Sequence, residues 1–303
     1  MKWKWALSLC LFSASMLTLA VSGFQLIQYG QEEQQTDSLQ AELAAVYAAG
    51  NTIPETDILL ESTFSPDTPT NYPQTDVGTV YVDESSEQIF PESSVSAEAS
   101  TIPDDVPAQS ETTISSGLAA LHARNPDCVA WITIDGTVID YPVMHRPDKK
   151  DYYLNRDFNG KKSSAGTLYI SEICDPKTSD NVLIHGHNMN SGKMFAALTK
   201  YKKRSFYEDH RYIRFETLDG AYTYEVIFAL TTPVYTGNDF EYYNFATARN
   251  EAEFDAYIAQ CARRALYDTG LSASYGDRLL TLSTCEYSQK NGRMLVVAKR
   301  IDE

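Results

Sequence analysis

Cysteine is scarce in this chain, five among 303 residues, and no two stand in the short paired spacing of a zinc site or a disulfide framework. A chain this long buries a core large enough to do without cross-links. Basic residues are missing from one long segment: residues 31–116 hold 17 Asp or Glu and no Lys or Arg. The 187 residues that follow carry 23 basic and 24 acidic side chains, so the formal charge of −16 belongs to the acidic segment. The want of clustered Lys and Arg argues against nucleic acid as a partner. There is no glycine-rich phosphate loop, and His122, His145 and His210 are scattered, so neither a cofactor nor a metal is expected.

Charge is absent from Trp5 to Tyr29, which follow Lys2 and Lys4 and precede Glu32 and Glu33. At a rise of about 1.5 Å per residue this stretch is long enough to cross a bilayer core of roughly 30 Å. Basic residues before it and acids after it put the N-terminus in the cytoplasm and the bulk of the chain outside. Ala20-Val21-Ser22 would also serve as a signal-peptide cleavage site, but the apolar stretch runs on past it, which favours a retained anchor.

The expected organisation is a cytoplasmic N-terminus at 1–4, a transmembrane signal anchor at 5–29, an acidic disordered stalk at 30–115 and one folded domain at 116–303. Gln31 to Ala49 has the composition for a short helix leading out of the membrane. Beyond it Pro54, Pro66, Pro69, Pro73, Pro91, Pro103 and Pro107 interrupt any regular element. Such a segment buries too little apolar surface to offset its ordering entropy.

The composition changes near Ser115. A short helix around Leu118 ends at Asn125-Pro126, and short alternating segments follow: 129–134, 137–139, 141–143, 166–170, 181–184, 212–215, 221–230, 278–283 and 294–301. Many short strands at this spacing predict a closed barrel or sandwich. Two more helices are expected, Met194 to Tyr201 and Glu251 to Leu266. In the second, Phe254, Tyr257, Ile258, Cys261 and Leu266 share a face and Glu251 and Glu253 sit at its start. The fold class is α+β, mainly antiparallel β.

Three side chains at strand ends carry chemistry. Cys285 closes Thr281-Leu282-Ser283-Thr284-Cys285 ahead of a polar loop, and Arg293 stands eight residues later at the start of the last strand. Asn181-Val182-Leu183-Ile184-His185-Gly186-His187-Asn188 supplies two histidines, between which periodicity alone does not choose. A lone cysteine is more often buried and structural, and a lone arginine at a strand end is usually solvated. Together, a thiol, an imidazole and a guanidinium form a set for acyl transfer through a thioester.

The same motifs resemble the sortases, the cysteine transpeptidases of Gram-positive cell surfaces, over residues 118–303. The resemblance rests on Asn125-Pro126-Asp127…Trp131-Ile132, Asp140-Tyr141-Pro142-Val143 and Tyr153-Leu154-Asn155…Asp157-Phe158. Gly186-His187-Asn188…Met194-Phe195, Thr281 to Cys285 and the arginine strand complete it. The helix at Glu251 to Leu266, ahead of the cysteine strand, points to class B. The resemblance implies an eight-stranded β-barrel with an N-terminal helix and that extra helix. It makes Cys285 the nucleophile, His187 the proton-transfer residue and Arg293 the oxyanion or carbonyl donor. It places Ser283, Leu154 and Tyr243 at the peptide pocket, and it implies no cofactor. Where His185 stands, class B members often have tyrosine.

The implied activity is cleavage of a C-terminal sorting signal after threonine, followed by transfer to an amine of a peptidoglycan cross-bridge or its lipid-linked precursor. The implied partners are surface proteins bearing that signal, with the N-terminal helix in the membrane. Within the fold the rival is a pilus polymerase that uses a pilin lysine. Outside it stand a hydrolytic cysteine peptidase and a non-catalytic stalked ectodomain.

Overall fold

A computed structural model describes residues 2–51, 115–237 and 240–301, with side chains from residue 21 onward. The stalk expected beyond residue 51 falls on 52–114, outside the described residues, and the expected membrane span at 5–29 falls mostly on residues whose side chains lie outside them. Among the described residues no helix is long and apolar enough to cross a membrane.

Eight strands close into a barrel. They are β1 (Cys128–Thr133), β2 (Asp140–His145), β3 (Leu168–Ile170), β4 (Asn181–His185), β5 (Tyr212–Thr217), β6 (Gly220–Pro233), β7 (Leu279–Glu286) and β8 (Gly292–Arg300). Their order around the barrel is β1-β2-β3-β4-β7-β8-β6-β5. Two of the pairings are parallel, β2 with β3 and β4 with β7; the others are antiparallel. The parallel pairs require long crossovers, which carry the irregular segments of the domain. The interior is filled by aliphatic residues such as Ile132, Val143, Ile184, Leu230, Leu282 and Leu295.

The expected strand at 137–139 is instead the turn that joins β1 to β2. Ile134 N–H donates to Ile139 O at 2.9 Å, and Gly136 takes φ 75°, a conformation glycine adopts without steric cost. The helix expected from Met194 is a run of 3₁₀ turns over Phe195–Lys202. The last two strands extend to Glu286 and from Gly292, so Cys285 and Arg293, expected at a strand end and a strand start, lie one residue inside the sheet.

Among the described residues there are four α-helices outside the strands: α1 (Lys2–Asn51), α2 (Ser116–Arg124), α3 (Arg204–Asp209) and α4 (Glu251–Arg264). Asn250 caps α4 by accepting from Glu253 N–H at 3.1 Å, with Glu251 and Glu253 in the first turn, where the helix dipole favours acids.

The helix expected at Gln31 to Ala49 is present, but the disordered stalk expected from residue 30 does not begin there. Residues 30–51 belong to α1, which packs on the folded domain. Leu43 is fully buried with Leu118, Leu121, Trp131 and Tyr153. The Tyr47 ring stacks on Trp131 with centroids 4.1 Å apart, and its hydroxyl donates to Glu216 at 2.5 Å. Leu39, Leu43, Val46 and Tyr47 recur at helical spacing, so this part of the segment has an apolar stripe despite its acidity. Where α1 meets α2, Gly50 and Gly117 let the two backbones touch, since a Cβ on Gly117 would run into Tyr47.

Candidate active site

The parallel pairing of β4 with β7 sets His185 opposite Ser283. Past that point β4 ends while β7 runs on through Cys285 to Glu286. In the antiparallel pair of β7 and β8, Cys285 lies directly across from Arg293, and residues opposite each other in such a pair project from the same face. Ser283, two residues before Cys285, shares that face. The register alone therefore puts a thiol, a guanidinium and a hydroxyl on one patch of the barrel.

His187 reaches the same patch from the segment after β4. Gly186 allows the approach because a side chain there would collide with Leu168 and Phe195. Gly186 N–H donates to Ser283 O at 3.2 Å, and Thr284 Oγ1 donates to Gly186 O at 2.8 Å. These bonds stitch the histidine segment to the cysteine strand. Beyond His187, the Asn188 amide nitrogen donates to Cys285 O at 3.0 Å. His187 Nε2 lies 2.8 Å from Leu154 O. A carbonyl only accepts, so Nε2 carries the hydrogen and Nδ1 is the ring nitrogen left to exchange a proton.

Cys285, His187, Arg293, Ser283, Leu154 and Tyr243 all line one cleft of about 270 Å³. Cys285 is partly exposed, whereas Cys128, Cys174 and Cys261 are buried. Burial pushes the thiols of those three up, to about 12, 11 and 12 respectively, so they are poor sources of thiolate. Arg293 is half-buried and donates to Gly292 O at 3.0 Å. Among the described residues no group of His, Cys, Asp and Glu is arranged to hold a metal ion.

Several residues that sequence reasoning did not single out complete the cleft. The Tyr242 hydroxyl is 2.8 Å from Ser283 Oγ, and burial raises its pKa to about 12. Its neighbour Tyr243 was the residue expected here, and both line the cleft. Tyr169 donates to Asp151 at 2.7 Å, and its ring packs against His185 at 5.3 Å. His185 therefore sits in the cleft wall beside Tyr169. Burial lowers its pKa to about 4, Asp151 opposes that shift, and Arg293 and Lys150 add to it, so the ring is neutral near pH 7. Asp151 and Tyr242 stand on turns outside the strands and meet the strand residues only in the folded domain; no local motif announces Asp151 or Tyr169.

Behind the thiol, Glu286 is 5% exposed. Its carboxylate takes Lys202 Nζ at 2.5 Å, Ser288 N–H at 3.0 Å and the Ser288 hydroxyl at 2.6 Å. Burial alone would raise this carboxyl, but Lys202 and Ser288 hold it below the ordinary range. The loop between Cys285 and Arg293 is thereby pinned at its first turn.

Comparison with known proteins agrees with this architecture. The family model described as the sortase domain matches residues 132–301. The chain is 32% identical over 188 residues to Sortase B of Staphylococcus aureus, covering 60% of this chain and 73% of that protein. It is 35% identical over 192 residues to Sortase B of Listeria monocytogenes, covering 61% and 74%. A structure of the Staphylococcus aureus sortase B–substrate complex superposes with TM-score 0.56 at 30% identity, covering 61% of this chain and 85% of that one. The chain belongs to the sortase family of cysteine transpeptidases, in its class B branch.

Proposed function

We propose that this chain cleaves a C-terminal sorting signal after threonine and transfers the surface protein to a cell-wall amine. The observation that carries the reading is the placement of Cys285 across from Arg293 in adjacent strands, with His187 lining the same cleft.

In this reading the Cys285 thiol passes its proton to His187 Nδ1, the sulfur attacks the threonine carbonyl carbon, and the carbonyl oxygen becomes an oxyanion. Arg293, always charged and forked, stabilises that oxygen. As the tetrahedral intermediate collapses, the C–N bond breaks and His187 gives its proton to the departing amine. A thioester between Cys285 and threonine remains. An incoming primary amine then attacks the same carbonyl and gives its proton to His187, and as the C–S bond breaks His187 returns that proton to the sulfur, restoring the thiol. Atoms and protons balance over the cycle, with one peptide bond broken and one formed.

Ser283, Leu154 and Tyr243 would contact the peptide, with Tyr242 orienting the Ser283 hydroxyl. The acceptor would be a peptidoglycan cross-bridge amine or its lipid-linked precursor. Residues 5–29 would hold the protein in the membrane with the catalytic domain outside, a reading supported by the uncharged stretch and its flanking charges.

A screen of threonine-containing pentapeptides with triglycine as acceptor, read by mass spectrometry, tests the proposal. Cleavage after threonine with the triglycine ligated is the expected product. Hydrolysis alone would make the chain a peptidase, and transfer only to a lysine side chain would make it a pilin polymerase.

A further inference from the structure

The segment that carries His187 and Asn188 doubles back on itself. Asn188 pairs with Met194 in a β-bridge, and Phe195 N–H donates to His187 O at 2.9 Å. Gly192 makes the turn at φ 83°. Met194 then takes φ 53°, a left-handed conformation that a side chain such as methionine's rarely adopts. Such strain persists only where the surroundings hold it. Here the Met194 side chain is buried, and its amide donates to the Tyr141 hydroxyl at 3.4 Å.

The residue before it supplies a second hold. Lys193 is only 27% exposed and ion-pairs with both Glu33, at 3.3 Å, and Asp37. Those acids stand one turn apart on the same side of α1, whose neighbouring Glu32 accepts from Ser164 at 2.8 Å. Burial alone would lower the Lys193 ammonium, but Asp37 and Glu33 raise it overall, so it stays charged. At the other end of the segment Asn188 is bonded to Cys285 O at 3.0 Å. An unbroken path of contacts thus runs from the acids of α1 through Lys193, Met194 and Asn188 to the backbone of the candidate nucleophile.

We propose that α1 positions the active site, with Glu33 and Asp37 gripping Lys193 and so holding the turn that sets His187 and Asn188 against Cys285. The proposal rests on the reading of Cys285 and His187 as the reacting pair. Lys193 touches no reacting atom; it is a positioning residue. The helix that leads from the expected membrane segment would then also be part of the catalytic apparatus.

The test uses the full chain and three variants: Lys193→Gln, Glu33→Gln with Asp37→Gln, and the exchange Lys193→Glu with Glu33→Lys and Asp37→Lys. Cleavage of the best pentapeptide and amide exchange over residues 186–195 are both measured. Removing either side of the ion pair should lower kcat by about tenfold, between the effect of a surface pair and the roughly hundredfold cost of a 1 Å misplacement. KM should stay within about twofold, since no peptide contact is removed. Amides 188–195 should exchange faster while barrel amides keep their protection, and the exchanged triple variant should recover most of both losses. Unchanged kcat with unchanged local exchange would overturn the proposal. So would a loss of protection spread over the whole barrel, which would mean that the contact only stabilises the fold. If the unaltered chain turns over no peptide at all, the transpeptidase reading fails, and the local exchange still decides whether α1 holds the turn.

Discussion

Replacing Glu286 by glutamine removes one charge and little volume from the position next to the candidate nucleophile. In the native chain the carboxylate takes three bonds, one from Lys202 and two from Ser288. Glutamine keeps one carbonyl oxygen as acceptor, so it retains part of the Ser288 contact and loses the charge-assisted bond to Lys202. A hydrogen bond to a charged group contributes about 1.5–3 kcal/mol, and a buried ion pair broken from one side costs about 3–5 kcal/mol. Lys202 is 39% exposed and regains water when released, which places the loss near the lower figure, about 2 kcal/mol. For a domain of this size that is a fall in Tm of roughly 4–8 °C.

Because the same carboxylate anchors the loop from Cys285 to Arg293, kcat/KM should also fall, by about tenfold. The pH dependence has a fixed sign. The folded-state pKa of Glu286 is lowered, so its stabilisation is complete above the unfolded value of about 4.3 and is lost as pH falls through the folded value. Thermal melts between pH 7 and pH 3 should show wild type and Glu286→Gln converging as the pH drops. A Tm difference that stayed constant across that range, or an increase in stability at pH 7, would refute the reasoning.

The two histidines should separate in kinetics: His187→Ala should lose at least about a hundredfold in kcat/KM, the scale of a lost proton-transfer group, and His185→Ala far less. Near-normal turnover by His187→Ala with collapse in His185→Ala, measured on the same peptide, would reverse the assignment. Leu43→Ala empties a fully buried site under α1 and should cost about 2–5 kcal/mol, read as a lower midpoint in urea; a change below about 0.5 kcal/mol, the level of an exposed position, would show that α1 leaves the barrel in solution. Tyr242→Phe removes the hydroxyl that meets Ser283 and should raise KM more than it lowers kcat, with the reverse split counting against a peptide-orienting role.

Much of the fold was legible because local chemistry and global structure agree. Alternation marked most strands, Asn125-Pro126 marked the end of α2, and the acids at Glu251 and Glu253 marked the start of α4. What was missed was that the helix expected at Gln31 to Ala49 docks on the folded domain. Residues 31–116 are uniformly acidic, yet the prolines begin only at Pro54, and ahead of them Leu39, Leu43, Val46 and Tyr47 keep a helical period that buries against Trp131. Composition pointed to the helix, and its periodicity marks the face that docks.

The cleft divides in the same way. Cys285, His187 and Arg293 stand in local motifs that carry meaning only together, and only the resemblance chose His187 over His185. Their meeting depends on the parallel register of β4 with β7, a pairing between residues about a hundred positions apart in sequence. Asp151 and Tyr169 join the cleft only in the folded domain, and Tyr242 stands beside the Tyr243 that was expected there. The path from Glu33 and Asp37 to Lys193 is of the same kind, since it spans about 160 residues.

The central claim, that Cys285 forms a thioester with a threonine carbonyl, is tested most directly by intact-protein mass spectrometry during peptide cleavage without an added amine. The account predicts a covalent adduct with the mass of the peptide up to threonine, mapped to Cys285, absent in Cys285→Ala and released as a ligated product when triglycine is added. An adduct on another cysteine would contradict the account, as would cleavage with no adduct in a protein whose Cys285 still reacts with iodoacetamide.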